Sequence, residues 1–301
     1  MRNVFAETLY KEAIKNEKIY VVAADISPAG SMEKLRKKYP DRFVNTGVAE
    51  QSMIGISAGL AMRGMKPFAY TIATFALYRP FEMIRDDICY QNLPVTIVGM
   101  GAGTIYSTLG GTHLTQEDIS IARSIPNMTV LAPSDLYEIK SCIKYLSKYS
   151  KNPCYLRIGK SGEKDYIFKE STKWKFGKIR KICDGKNKTC ILTYGPIIKT
   201  AIEVKKKSNI AIYSAHTLKP FDYKSLKSIL KKYKKIIILE DHSEIGGLSS
   251  ICKEFAHDNG IQNKIKNFSL KDKFFHFYGS QKELLEKKHG ITVEKILKEV
   301  V

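Results

Sequence analysis

The chain has 301 residues, of which 44% are hydrophobic and 27% charged, a length and composition suited to two domains with their own cores. No segment approaches the roughly 18 consecutive uncharged apolar residues of a membrane span. Residues 1–18 carry scattered acids and indicate an amphipathic helix rather than a signal peptide. We therefore expect a cytoplasmic protein that does not bind a membrane. The six cysteines form no CxxC pair and have no histidine spacing suited to zinc, so they predict neither a metal site nor a disulfide.

The chain is strongly basic, with a formal net charge of +20. Residues 1–160 contribute +6 of this charge and the remainder +14. The excess is mainly lysine in short runs such as 205–207 and 231–232, which suit exposed helix faces and come without an aromatic stacking platform. We expect a solvated surface that attracts phosphorylated substrates, and no nucleic-acid partner. A basic binding or regulatory module is the non-enzymatic alternative.

Short apolar runs alternate with amphipathic helical patterns along the chain. The run 19–24, IYVVAA, is typical of a strand buried on both faces of a parallel sheet, and the run 236–240, IIILE, repeats this pattern in the second half. Polar and charged residues 163–178 predict a linker. The sequence therefore predicts an α/β fold with two domains, 1–162 and 179–301, each a mostly parallel sheet flanked by helices.

Glu50 lies where a short strand, 43–45, leads into a helix that begins at about Gln51. An acid is favourable there because the first backbone N–H groups of a helix are unpaired. Its neighbours are small or apolar, Gly47 and Ala49 among them, so we expect a poorly hydrated carboxylate. Desolvation raises the pKa of a carboxyl group and suits it to hydrogen bonding or proton transfer. From its position alone, Glu50 is either a helix-capping residue or a functional acid.

The segment 47–75, GVAEQSMIGISAGLAMRGMKPFAYTIATF, resembles the pyrimidine-binding half of transketolase-type enzymes that depend on thiamine diphosphate. The resemblance implies that Glu50 bonds a ring nitrogen of the cofactor's aminopyrimidine and favours the imino tautomer, which takes the proton from the thiazolium carbon. It extends through most of the first half and more weakly to the end. There the chain resembles a carboxyl-terminal domain that chiefly makes dimer contacts, so no catalytic role is assigned to His216 or His242.

The same resemblance places aromatic residues against the cofactor's pyrimidine. Phe75 and Tyr78 match the family's F-x-x-Y arrangement, and Ile72 stands where the family often has a further aromatic residue. Spacing alone favours a different role, because aromatic pairs three residues apart are common on buried helix faces.

Two polar residues follow predicted strands or glycine-rich turns. Asp25 ends the run 19–24, and loops at the carboxyl ends of parallel strands hold ligands, which makes it a candidate for the cofactor site. The alternative for Asp25 is hydrogen bonding within the turn. His113 follows Gly110-Gly111-Thr112 and matches the histidine of the family's G-x-T-H segment, which implies proton transfer beside the substrate. Without the resemblance, His113 could equally be a surface histidine.

Two arginines are candidates for binding the phosphate of a substrate. Arg157 lies near the end of the predicted strand 154–158, where the resemblance implies a phosphate-binding arginine, and guanidinium recognises phosphate through two hydrogen bonds. Without the resemblance, Arg157 could equally be a surface ion-pair residue. Arg2 occupies the place of another family arginine that contacts sugar phosphate. Leu109 stands where the resemblance implies an aspartate that reads the donor's hydroxyl, and Ala29 where it implies a serine. The aliphatic Leu109 favours a less hydroxylated donor or a specialised sugar pathway.

The chain has no counterpart of the family's G-D-G segment, which holds the cofactor's diphosphate through Mg²⁺ in a separate amino-terminal domain. A diphosphate needs a metal or dense N–H donors. We therefore expect a partner subunit to supply that domain and to bind most of the Mg²⁺, in an α2β2-type assembly that includes a dimer of this chain.

The predicted function is that of one component of a thiamine-diphosphate-dependent, transketolase-like transferase, active with its partner. It would move a two-carbon ketol or related acyl unit between sugar-type substrates. The alternatives are the beta chain of a 2-oxo-acid dehydrogenase and a deoxyxylulose-phosphate-synthase-like acyl transferase.

Overall fold

The computed structural model describes residues 1–26 and 31–300, so Ala29 lies outside the described residues. The first half of the chain alternates strands and helices as its apolar runs predict. Its elements are α1 (Arg2–Lys15), β1 (Ile19–Ala23), α2 (Ser31–Lys38), β2 (Phe43–Asn45), α3 (Glu50–Met62), β3 (Lys66–Ile72), α4 (Ala73–Leu77), α5 (Phe81–Met83), β4 (Thr96–Met100), α6 (Asp118–Ser124), β5 (Thr129–Leu131), α7 (Leu136–Tyr149) and β6 (Cys154–Ile158). A π-helical segment, Ile84–Tyr90, continues α5.

The second half repeats this alternation. Its elements are β7 (Arg180–Cys183), β8 (Thr189–Thr193), α8 (Ile198–Lys207), β9 (Ala211–Ser214), β10 (Thr217–Lys219), α9 (Tyr223–Lys232), β11 (Lys235–Ser243), α10 (Leu248–Asp258), β12 (Lys264–Leu270), α11 (Gln281–Glu283) and α12 (Val293–Leu297). A second π-helical segment, Leu284–His289, follows α11.

The strands form two sheets, each parallel except at one edge. The first has the order β10-β5-β6-β4-β3-β1-β2, and the second has the order β12-β11-β8-β9-β7. Among the described strands, β10 and β7 pair antiparallel to their neighbours. The predicted α/β fold of two mostly parallel sheets flanked by helices is confirmed.

Strand β10 comes from the second half of the chain but pairs with β5 of the first sheet, with Thr217 opposite Leu131. One apolar cluster also runs across the two sheets, from Tyr155 on β6 to Leu192 on β8. The two halves therefore share a core at their junction.

The carboxyl ends of parallel strands lie at one edge of a sheet, and loops at that edge commonly bind ligands. In the first sheet this edge carries the turn after β1, the entry to α4 after β3, and the loop 101–117 after β4. These segments hold most of the candidate site residues. No helix in the described parts of the chain has both the length and the apolar character needed to cross a membrane.

The predicted linker, 163–178, contains neither helix nor strand and is anchored by aromatic contacts. Trp174 stacks on His216 with ring centroids 5.3 Å apart, and Phe176 stacks on Tyr145 at 4.3 Å. His216 is fully buried, and its Nδ1 lies 2.9 Å from the hydroxyl of Thr217.

The buried His216 predicts a loss of stability in acid. Burial, aided by the nearby Arg180 cation, lowers the pKa of His216 to about 3. Below pH about 6.5 the unfolded chain binds a proton that the folded chain does not, so stability should fall as the pH drops from about 6.5 towards 3, by up to about 1.4 kcal/mol per pH unit. Urea unfolding of the protein and of His216→Phe at several pH values measures this slope. The variant should show a shallower slope, and equal slopes would contradict the assignment.

Candidate active site

Glu50 is the first residue of α3 and is buried, with 3% of its surface exposed. Gly47 adopts a left-handed conformation in the turn before the helix, with φ of 66°. The carboxylate accepts a hydrogen bond from the Arg79 guanidinium, with Oε2 2.9 Å from Nη1. The side chain of Arg79 is 45% exposed, so the ion pair joins a buried acid to a cation at the surface.

Phe75 and His113 meet at the mouth of the same site. Their ring centroids are 5.3 Å apart in an edge-to-face arrangement, and the Arg79 guanidinium carbon lies 5.7 Å from the Phe75 centroid. The ring of Tyr106 contacts His113 from another side at 6.2 Å. A chain of contacts thus runs from Glu50 through Arg79 and Phe75 to His113.

Tyr78 is tied to the loop that carries His113. Its hydroxyl donates a hydrogen bond to Glu117 Oε2 at 2.7 Å. Burial and the nearby Asp118 and Glu117 carboxylates raise the pKa of Tyr78 far above its ordinary value, so this hydroxyl stays protonated. Ile72 is partly buried and packs against an apolar cluster that includes Tyr70 and Met100.

Asp25 and Arg2 both lie near strand or helix ends of the first half of the chain. Asp25 is exposed after β1 in a left-handed conformation with φ of 42°, and its N–H donates to Asn45 Oδ1 at 3.3 Å. Arg2 begins α1, and its Nε is buried without a hydrogen-bond partner. Burial raises the pKa of the nearby Tyr106, and the charge of Arg2 partly offsets this rise.

Arg157, the strand residue expected to bind a substrate phosphate, is buried. Only 2% of its surface is exposed, its Nε donates to Asp118 Oδ2 at 2.8 Å, and its Nη2 donates to the Asp241 carbonyl oxygen at 2.7 Å. A buried guanidinium requires such partners. The structure therefore gives Arg157 an internal role at the junction of the two sheets.

Sequence reasoning did not find Arg79 or Asp241. Arg79 stands four residues after Phe75 and next to Tyr78, just beyond the end of α4 at Leu77, and this short separation could have signalled it. Within residues 1–26 and 31–300, no group of three or more His, Cys, Asp or Glu side chains could hold a metal ion.

The chain is therefore an α/β protein of two mostly parallel sheets, with a buried acid, an aromatic ring and a histidine at one edge of the first sheet. The sequence pattern of the transketolase pyrimidine-binding domain matches residues 1–162, and that of the transketolase C-terminal domain matches residues 177–296. The chain belongs to the transketolase family.

Three relatives illustrate its place there. A Methanocaldococcus jannaschii protein described as "Putative transketolase C-terminal section" is 37% identical over all of this chain and 95% of its own length. A 1-deoxy-D-xylulose-5-phosphate synthase from Clostridium perfringens is 31% identical over 98% of this chain, which spans only 48% of that enzyme. One of the subunits of an apulose-4-phosphate transketolase from Phocaeicola vulgatus is 30% identical over 88% of this chain and 86% of its own length.

Among solved structures, a split-gene transketolase described as an inactive beta4 tetramer is similar over 99% of this chain and 95% of its own. The TM-score is 0.85 and the sequence identity 29%. The two chains therefore have nearly the same extent.

The Glu50–Arg79 pair predicts a measurable loss of stability. Arg79→Met would leave a buried carboxylate without its cation, and we expect the free energy of unfolding to fall by about 1 kcal/mol, since water can reach the exposed side of the site. Arg85→Met is the matched control, because its pair with Asp86 is exposed on both sides, at 62% and 47%. The control should change stability by less than about 0.5 kcal/mol. Urea unfolding checks both variants, and equal losses would contradict the pairing.

Proposed function

We propose that this chain is one subunit of a thiamine-diphosphate-dependent transketolase that moves a two-carbon ketol unit between sugar-type substrates. The observation that carries the proposal is the buried Glu50 carboxylate at the start of α3, linked through Arg79 to Phe75, in a chain of the transketolase family. A hydrogen bond between this buried carboxylate and a bound ring nitrogen would be stronger than the same bond in water.

The residues at this edge fit the aminopyrimidine of thiamine diphosphate. Glu50 would accept a hydrogen bond from the ring, and Phe75 would offer its aromatic face, with Tyr78 holding the adjoining loop through Glu117. Ile72 and Asp25 would complete the wall of the cofactor site. When bound, the cofactor supplies a carbon nucleophile for breaking and forming bonds next to a ketone.

The chain's own groups would then hold and move protons. Glu50 would share a proton with the ring nitrogen beside the Arg79 guanidinium, which donates to its Oε2. His113, partly exposed at the mouth of the site, would donate or accept a proton at the substrate's oxygen. Arg2, at the start of α1, is the arginine that we propose for a phosphate group.

A partner subunit would bind the diphosphate and most of the Mg²⁺. Two observations support this: the described residues hold no cluster of metal ligands, and the chain spans about half the length of the deoxyxylulose-phosphate synthases it matches. The relatives described as a C-terminal section and as one of the subunits of a transketolase agree with a divided enzyme. We propose an α2β2 assembly in the cytoplasm, with a dimer of this chain at its centre.

Leu109 bears on the donor substrate. It lies four residues before His113 in the same loop, and 49% of its surface is exposed. An aliphatic side chain cannot accept a hydrogen bond from a donor hydroxyl, so we propose a donor with fewer hydroxyl groups than those of central sugar metabolism. A normal rate with xylulose 5-phosphate would contradict this.

The likeness to deoxyxylulose-phosphate synthases supports a second candidate, an acyl transferase that takes its two-carbon unit from a 2-oxo acid. Assays of the reconstituted assembly with ketose phosphates and with pyruvate separate the two. Transfer to a lipoyl domain would instead identify a 2-oxo-acid dehydrogenase.

The substitution Glu50→Gln tests the proposal directly. In the assembly reconstituted with its diphosphate-binding partner, we expect the kcat for ketol transfer to fall by at least about 10²-fold, because an amide cannot share the proton. Glu82→Gln, an exposed glutamate on α5, is the control and should leave kcat unchanged. Steady-state kinetics with each chain alone set the background. Full turnover by Glu50→Gln would contradict the proposed role.

A further inference from the structure

The loop 101–117, which carries His113, is fastened to the second half of the chain. We propose that Asp241, on β11 of the second sheet, is a positioning residue: it fixes this loop and so the place of the His113 imidazole. The structural part of the inference concerns this chain alone. Its consequence for the reaction rests on the proposed function.

Asp241 holds the loop through Thr104. Its carboxylate is 3% exposed and accepts from the Thr104 N–H, 3.1 Å from each oxygen, and from the Thr104 hydroxyl at 2.8 Å. Gln281 completes the set, with Nε2 donating to Asp241 Oδ2 at 3.1 Å. Arg157 holds the backbone of the same residue through its carbonyl oxygen. These hydrogen bonds therefore hold Asp241 in one position.

Glycine allows this close approach. Gly103 has φ of 74°, which L side chains rarely adopt, and a Cβ there would lie 2.3 Å from Asp241 Oδ2. The loop backbone can thus lie directly against the carboxylate.

A backbone hydrogen bond connects the contact between Asp241 and Thr104 with the segment that carries His113. The Thr115 N–H donates to the Gly103 carbonyl at 3.0 Å, so the start and end of the loop are joined one residue from Thr104 and two residues from His113. The hydroxyl of Thr115 also lies 3.2 Å from that of Thr74, next to Phe75. Fixing Thr104 therefore fixes the imidazole relative to the aromatic ring.

Two further contacts from the second half hold the same loop. The Ser107 hydroxyl donates to the Gly279 carbonyl at 2.7 Å, and the Ser243 N–H donates to the Gln116 carbonyl at 2.7 Å. The second domain thus contributes to the site as well as to any contact between subunits, which extends the role that its family resemblance implied.

The imidazole of His113 can be observed in the whole chain by NMR, with ¹³C-labelled histidine. The chain has six histidines, and His113→Gln assigns the signal. In Asp241→Asn and Thr104→Val we expect the His113 Cε1–H signal to shift and broaden. Thr104→Ser, which keeps the hydroxyl, should restore it.

Asp222→Asn is the matched control. Asp222 is also a buried aspartate of the second half, 4% exposed, and it caps α9 by accepting from the Ser225 N–H. This variant should leave the His113 signal unchanged. In the reconstituted assembly, Asp241→Asn should lower kcat about tenfold or more with KM nearly unchanged, because misplacing a catalytic group costs rate.

An unchanged His113 signal in both Asp241→Asn and Thr104→Val would overturn the inference, and so would an equal change in Asp222→Asn. If Asp241→Asn does not fold, the pair Thr104→Val and Thr104→Ser decides. An assembly without ketol-transfer activity would count against the proposed function alone, because the NMR result does not depend on turnover.

Discussion

The Arg157 guanidinium is a buried charge, and its need for close partners constrains how the two sheets meet next to the candidate site. Arg157 lies near the end of β6 in the first sheet, Asp118 begins α6, and Asp241 lies towards the end of β11 in the second sheet. A buried cation is stable only with close, well-oriented partners, so these three residues can meet in essentially one geometry. The ring of Tyr194, 5.8 Å from the guanidinium carbon, covers another side of it. The carboxyl ends of strands from both sheets are therefore held against each other.

The position of the candidate-site residues depends on this junction between the two sheets. Glu50 and Phe75 are placed by the first sheet, through α3 and α4, whereas the loop that carries His113 is held from the second sheet. The Arg79 side chain lies between Glu50 and Phe75. It donates a hydrogen bond to the Glu50 carboxylate and lies over one side of the Phe75 ring. The chain thus gives one oxygen of its buried acid, Oε2, an internal cation whose side chain is partly open to water.

Much of the fold could be predicted because buried parallel strands appear in the sequence as continuous apolar runs. The strands β1, β3 and β11 are of this kind. The strand β12, KIKNFSL, is half exposed. Polar residues, two of them lysines, alternate with its apolar residues, so the sequence shows no continuous apolar run there. The strand β10 has three residues and pairs with a strand some 90 residues earlier, which no local pattern indicates.

The candidate site likewise has features that the local sequence predicts and features that it does not. Local signals placed Glu50 at a helix start and His113 in a glycine-rich loop, and the structure has both there. The partners of a side chain are set by tertiary contacts instead. Arg157 bonds residues 39 and 84 positions away, and its burial could not be read from a strand-end arginine in the sequence. The same holds for Asp241, because it and its partners Thr104 and Gln281 lie in three separate segments of the chain.

Hydrogen–deuterium exchange of the whole chain tests most directly whether the junction orders the site. Arg157→Lys keeps the charge but loses the planar fork that binds Asp118 and the Asp241 carbonyl together. We predict faster exchange of the protected amides in residues 103–115, with the exchange of α3 unchanged and with the surface variant Arg85→Lys showing no difference. Exchange in 103–115 that stays as slow in Arg157→Lys as in the unaltered protein would contradict this account.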